Sequence, residues 1–344
     1  MTVRFATKSE IDNWNSLIIA NPDGGNVFAS YEFAMQKESG GYRAKFVMVD
    51  NLAVTVLEKK FPALGKLWYL PKGPGATDTS DLHRALKAIE PIAKQSGAFA
   101  LRIESELPKI DQPVLEQFGL VKTRHIIPNP STITLDISAN LDEVLINLPQ
   151  KGRHAIRRAQ RDGVTVKLVR STEENCQIMY KMLSETAEGQ FGIRSYKYFC
   201  SFWKRFEAAD YGQMFFAYFE GQIVAGAYAM TYGKKSTYKD GASIRKRTAY
   251  GASHLLQWRI IEWAKSHGAC LHDFCGSPPS DEINNPAHPH YGIGLFKSSF
   301  NKTVTDYIGC YDYIISPKKY RIWIKFAEKV AYRVHYYKYH DSYF

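Results

Sequence analysis

The chain has 344 residues, 45% of them apolar and 23% charged, which provides enough material for two packed domains and excludes a disordered or fibrous protein. Lys and Arg number 45 against 34 Asp and Glu, a net charge of +11, and this favours anionic partners such as RNA, DNA, nucleotide diphosphates or a membrane face. Five scattered cysteines form no CxxC pair, as expected of reduced thiols in the cytosol.

The opening MTVRFATKSEIDNW lacks the apolar core of a signal peptide, and no eighteen-residue apolar run comes later, so neither a leader nor a spanning helix is expected. The stretch 31–40, YEFAMQKESG, predicts a helix closed by glycine. Residues 42–60 predict two strands around an Asp-Asn turn, and KLWYLPKGPG (66–75) a strand running into a stiff Pro/Gly loop. Next come a helix over 78–97 and a buried strand over 98–104.

STITLDIS (131–138) predicts another strand, and 140–163 a helical region broken near Pro149. VTVKLVR (164–170) is strand-like, and Thr172 opens a helix that reaches about 190. YFCSFWKRFEAAD (198–210) reads as a helix, 212–243 as three antiparallel strands, 251–268 as an amphipathic helix and 270–276 as a strand. Helix, strands, helix, strand thus occurs twice, which points to an internal duplication of fold.

Two further stretches raise questions of their own. In HYGIGLFKSSFNK (290–302), Lys297 sits inside an apolar, glycine-rich run. Read as a strand, the run allows a lysine only at a solvent edge or facing a pocket that needs positive charge. In the tail, 316–344, Trp323, Phe326, Ala327, Val330 and Val334 make an apolar stripe, with Lys325, Lys329 and Arg333 elsewhere. The plain reading is a helix packed on the body; the sharper one is contact with a membrane surface or RNA.

RKRTAYGASHLL (245–256) joins a basic loop to a helix start, where free N–H groups attract anions. It resembles the pyrophosphate turn of GCN5-like acyltransferases, without their paired glycines. The His and Cys spacings around His272, Cys275, His288 and His290 are unlike common zinc patterns, so no metal is expected, and no other cofactor.

The repeated element order, together with LPQKGRHAIRRAQRDGVTV (148–166), FGIRSYKYF (191–199) and GLFKSSFNKTVTDYIG (294–309), resembles the Fem family of aminoacyl-tRNA-dependent peptidyltransferases that build the peptidoglycan bridge. The resemblance implies an α/β fold of two tandem GCN5-like (GNAT-like) domains with mixed sheets. It places the first at about 1–147, with the last helix, 317–344, packing back on it, and the second at 148–316. No long charged heptad segment interrupts 170–210, so the compact, armless members are the better match.

The same resemblance implies the residues. Lys37 and Arg194 would hold a nucleotide diphosphate, which arginine can grip as a fork. Tyr198, Tyr69, Lys72, Gly73, Pro74 and Tyr238 would border the precursor. Lys297, with Phe296 beside it, would stabilise negative charge on the ester oxygen while an acceptor amine attacks aminoacyl-tRNA. Asp240, His272 and Asp273 are chemically able bases, none singled out. Lys151, Arg153, Arg157, Arg158 and Arg161 would meet tRNA phosphates.

The expected reaction is transfer of an amino acid from aminoacyl-tRNA to the stem-peptide amine of a peptidoglycan precursor. UDP-MurNAc-pentapeptide is favoured and the lipid-linked precursor is the alternative, with a monomer acting in the cytoplasm or in peripheral contact with the membrane's inner face. The rivals are an acyl-coenzyme A N-acyltransferase and an RNA-binding protein without chemistry. Two departures from the compact members are Phe99, where a hydroxylated aromatic is usual, and the proline-rich loop 277–291.

Overall fold

The structure is a computed structural model that describes residues 1–127, 130–187, 192–244 and 249–339. The chain divides into two compact units, 1–130 with 306–344, and 131–305. The division expected at 147/148 falls instead at 130/131. The reason is local: Thr134–Asp136 pairs with Leu271–Asp273, and helix Leu141–Asn147 buries Val144 in the core of the second unit. Likewise 306–316 joins the first unit, because Cys310–Ile314 pairs with Ala98–Ile103.

The first unit holds a seven-stranded sheet in the order Val3–Phe5, Arg43–Val49, Leu52–Phe61, Gly65–Leu70, Ala98–Ile103, Cys310–Ile314, Val121–Thr123. Its one parallel pair is Gly65–Leu70 with Ala98–Ile103. Helix Thr79–Gln95 makes that crossover, capped by the Asp78 side chain. Leu82, Ala85, Leu86, Ile89 and Ala93 recur on its inner face, each fully buried, and a buried Leu or Ile contributes about 1.5–3 kcal/mol.

The second unit repeats the scheme. Its sheet runs Thr134–Asp136, Leu271–Asp273, Lys235–Ser243, Gln222–Tyr232, Gly212–Phe219, Thr165–Val169. Here too a single pair is parallel, Lys235–Ser243 with Leu271–Asp273, joined by helix Ala252–Ser266. Three antiparallel strands, a helix and a parallel strand therefore occur once in each unit, and the fold is the tandem GNAT-like one.

Two irregularities mark one end of the second sheet. The parallel pairing stops after Thr237–Asp273, and the chain beyond it turns to other partners, Phe274 N to Ile133 O and Ser277 N to Ser131 O. Second, the register between Gln222–Tyr232 and Lys235–Ser243 shifts so that Tyr238 and Asp240 oppose neighbouring residues. Lys239 is the extra residue of that bulge, and bulges re-aim side chains.

Candidate functional site

Lys297 does not lie on a strand. Tyr291–Lys297 is a short helix, and Lys297 ends it with a 6% exposed side chain. In the run GIGLF, Gly294 lies against Pro278 and Ile283, Phe296 packs on the core, and Ile293 and Leu295 are exposed. The ammonium enters where the parallel strands part. It donates to Cys275 O, and to Gly276 O at 2.6 Å, and stands 6.0 Å from the Tyr238 ring. Burial pulls its pKa down to about 8, against the pull of Cys275 and Asp273 in the other direction.

The bulge brings a second lysine to the same place. Lys239 pairs with Asp240 at 2.9 Å and lies over the Phe202 ring at 5.4 Å. Burial opposes its charge, but Asp240 and the Tyr198 hydroxyl raise its pKa. Tyr238, Lys239 and Lys297 are all within electrostatic reach of the buried Cys275 thiol, which desolvation pushes up to about 12. Arg194 completes the group, its guanidinium 4.5 Å from the centre of the Tyr198 ring. Ser195 caps helix Tyr196–Ala208 and so fixes Tyr198 in its first turn.

The second unit thus gathers Arg194, Tyr198, Tyr238 and Lys297, four residues expected from sequence, around Lys239, which was not. Lys239 carried no signal beyond its charge, because a bulge is set by strand register. Phe296 lies one step away, edge-on to His254 at 4.9 Å. His254 was also missed. Its Nε2 is buried without a hydrogen-bond partner, and desolvation first, then Lys151, lowers its pKa to about 4, so the ring is neutral at pH 7.

Of the three candidate bases, none has an idle proton-accepting atom on a free side chain. His272 is held on both ring nitrogens, by Ser236 Oγ at 2.7 Å and Gln257 Nε2 at 2.6 Å. Asp273 accepts from Thr132 Oγ1 and Cys275 N and pairs with Lys235. Asp240 accepts from Trp203 Nε1 at 3.0 Å besides Lys239. Among the described residues, no group of three or more His, Cys, Asp or Glu gathers as a metal ion requires.

The basic helix is Gln150–Arg161. Gly152, Ala155, Ile156 and Ala159 face inward, leaving Lys151, His154, Arg157, Arg158 and Arg161 exposed along one side. Arg153 departs from that side and donates to Ile146 O. Tyr250, 48% exposed, joins the face, 4.9 Å below the Arg158 guanidinium. The packing beneath is tight: a Cβ on Gly152 would stand 2.0 Å from Ser299 O. Gly251 adopts φ +76 against Ala155 O, where a side chain would be both strained and obstructed. The basic run 245–248 ahead of it lies outside the described residues.

The other expected residues lie in the first unit. Lys37 is 6% exposed at the end of helix Tyr31–Glu38, 5.2 Å over Phe33, and so is no solvated helix lysine. Tyr69 is fully buried and donates to Glu104 at 2.5 Å. Its hydroxyl thus bonds the carboxylate that also accepts from Ile126 N and Ile127 N. Lys72 adopts φ 53, pairs with Glu106 at 3.5 Å and lines a small hollow with Ser105, His125 and Tyr307. Gly73 and Pro74 share a cis peptide bond, and Gly73 O accepts from the Ser105 hydroxyl. Phe99 is core, packed on Trp323 at 5.6 Å.

Fold and site together define a tandem GNAT-like chain with a cationic and aromatic cluster at the split of its second sheet. The structure of FemX has this fold, with a TM-score of 0.80, 20% identity, and coverage of 94% of this chain and 99% of that one. The structure of L-PGS from Bacillus licheniformis is more distant, with a TM-score of 0.53 and 14% identity over 93% of this chain and 96% of that one. Residues 207–329 match the model of the FemAB family, somewhat more than a third of the chain. The segment contains Tyr238, Lys239, Phe296 and Lys297. A lipid II:glycine glycyltransferase of Staphylococcus saprophyticus is 34% identical over 105 residues, and that of Staphylococcus aureus 32% over 103. Each alignment covers 30% of this chain and 24% of the relative, so the chain matches about a quarter of those proteins' length.

Proposed function

We propose that this chain is an aminoacyltransferase that moves an amino acid from aminoacyl-tRNA to an amine of a lipid-linked peptidoglycan precursor. The carrying observation is the cluster of Arg194, Tyr198, Tyr238, Lys239 and Lys297 at one end of one sheet. Three cations beside two phenols suit a diphosphate-bearing acceptor and a reaction that develops negative charge. A soluble UDP-linked precursor and a lipid-linked one both carry a diphosphate. The lipid-linked form is preferred because the similar staphylococcal enzymes are lipid II:glycine glycyltransferases.

In this reading the acceptor amine, once it has lost a proton, attacks the ester carbonyl. A C–N bond forms, the C–O bond to the ribose breaks, and the ribose oxygen takes up a proton. Lys297 has one donor beyond the two it gives to backbone carbonyls, and in this reading it serves the oxygen on which charge accumulates. Arg194 and Lys239 hold the acceptor's phosphates. The exposed face of Lys151, Arg157, Arg158 and Arg161, with Tyr250 for a base to stack on, meets the tRNA. Arg153 supports that helix from behind. A lipid-linked acceptor puts the chain in peripheral contact with the membrane's inner face, and a monomer suffices.

The test is transfer of a labelled amino acid from aminoacyl-tRNA by the purified protein. Lipid II in detergent micelles and UDP-MurNAc-pentapeptide are offered separately. Label in lipid II supports the proposal, label in the UDP compound alone moves the acceptor to the soluble precursor, and label in neither overturns it.

A further inference from the structure

We infer that the outward face of the C-terminal helix is a docking surface for an anionic lipid bilayer. The tail consists of Pro317–Ile322, a wider turn at Trp323–Ala327 and Glu328–Tyr339. Its inward face is fully accounted for within the first unit. Trp323 is buried against Phe61, with ring centres 4.4 Å apart, and Phe99. Buried Arg102 grips Asp312 with two nitrogens and Glu328 with a third, and Tyr320 adds its hydroxyl to Asp312. The packing expected of the stripe from sequence is therefore supplied by Trp323, not by the rest of it.

Ala327 is half-buried, whereas the three large remaining members of the stripe, joined by Tyr337, are exposed. Phe326 is 57% exposed, Val330 55%, Val334 59% and Tyr337 77%. Steps of four, four and three residues put them in one line about 16 Å long. A line of four large apolar groups in water marks a contact surface rather than the scattered apolar residues of an ordinary exterior. Lys325, Lys329 and Arg333 each precede one of them and are themselves exposed, so a basic row runs beside the apolar row. Residues 317–337 contain one acid, Glu328, and it is turned inward to Arg102. The outward face is thus apolar and cationic with no anion.

That pairing selects the occupant. A bilayer with anionic lipids takes apolar side chains below its headgroups and lysines at them, each cation adding to the attraction. A nucleic acid would use the cations and leave two valines in water. No described helix is long and apolar enough to cross a membrane, so the contact is one of lying on the surface.

The experiment uses the whole chain and sedimentation with vesicles that contain no precursor, of phosphatidylcholine alone or mixed equally with phosphatidylglycerol. The protein should pellet with the mixed vesicles, less so as salt rises. Phe326→Ser with Val330→Ser and Val334→Ser should lower partitioning about tenfold or more. Lys325→Glu with Lys329→Glu and Arg333→Glu should remove the preference for anionic lipid. All six side chains are exposed, so unchanged near-ultraviolet dichroism is the folding control. No pelleting with mixed vesicles, or equal pelleting by the serine variant, overturns the inference. So does a wild-type dimer in gel filtration that the serine variant dissolves, because a second copy then covers the face. Transfer to lipid II in micelles tests the catalytic proposal independently of this surface.

Discussion

Replacing Lys297 by methionine separates its two possible duties, holding the fold and serving the chemistry. At neutral pH the buried ammonium costs the folded state about 3 kcal/mol, since its pKa falls from the ordinary 10.5 to about 8. Methionine removes that cost and nearly matches the volume. It also leaves Cys275 O and Gly276 O without the donor, at about 1–3 kcal/mol each. The two effects oppose each other, so the urea-unfolding free energy should change by about 2 kcal/mol or less. Catalysis has no such offset. Loss of one charge-stabilising donor lowers kcat by about 10²–10³. The assay is steady-state transfer at saturating precursor, alongside urea unfolding of the same preparation. A variant that stays folded and keeps kcat within about twofold of wild type refutes the role of Lys297 in the transition state.

The same geometry sets other outcomes. If the Lys297 ammonium acts in the reaction, kcat should fall as pH rises through about 8, and Lys297→Met should lack that limb. The stability effect has the opposite sense: between about 8 and 10.5 the unfolded chain binds more protons, so stability rises with pH there in wild type relative to Lys297→Met. Arg194→Ala should weaken precursor binding about tenfold or more, read by calorimetry, and equal affinity would remove it from the site. Arg157→Ala with Arg161→Ala should weaken tRNA binding and flatten its dependence on log salt by about 1.4–1.8, with an unchanged slope counting against the basic face. Gly152→Ala should shift the urea midpoint by an amount equivalent to about 1–3 kcal/mol, because its Cβ would lie 2.0 Å from Ser299 O; an unchanged midpoint would mean that the contact yields freely.

Much of the duplicated order was legible because each unit repeats local rules. Alternation and turn chemistry mark 42–60 and 212–243, and a 3.6-residue stripe marks 78–97 and 251–268. Less legible was what depends on distant partners. Val3–Phe5 is a strand only because Val47–Val49 supplies its ladder, and three residues carry no period. The run at 290–302 looked strand-like because glycine, isoleucine and leucine alternate, yet a close approach to Pro278 and Ile283 gives Gly294 its use in a helix. The site shows the same split. Lys297 stood out as a charge in an apolar run. Lys239 and His254 did not, since one is placed by strand register and the other by rings from a separate helix. The partner of the Tyr69 hydroxyl is equally hidden from the sequence, since Glu104 lies 35 positions away.

The glycine at 152 has a consequence for the proposed reaction. With no side chain between them, helix Gln150–Arg161 meets Ser299 at backbone distance, two residues past Lys297. The helix that carries the outward cations therefore packs main chain to main chain on the segment that carries Lys297. A polynucleotide laid along the outer row would present whatever is esterified to its end at a reach set by main chain alone.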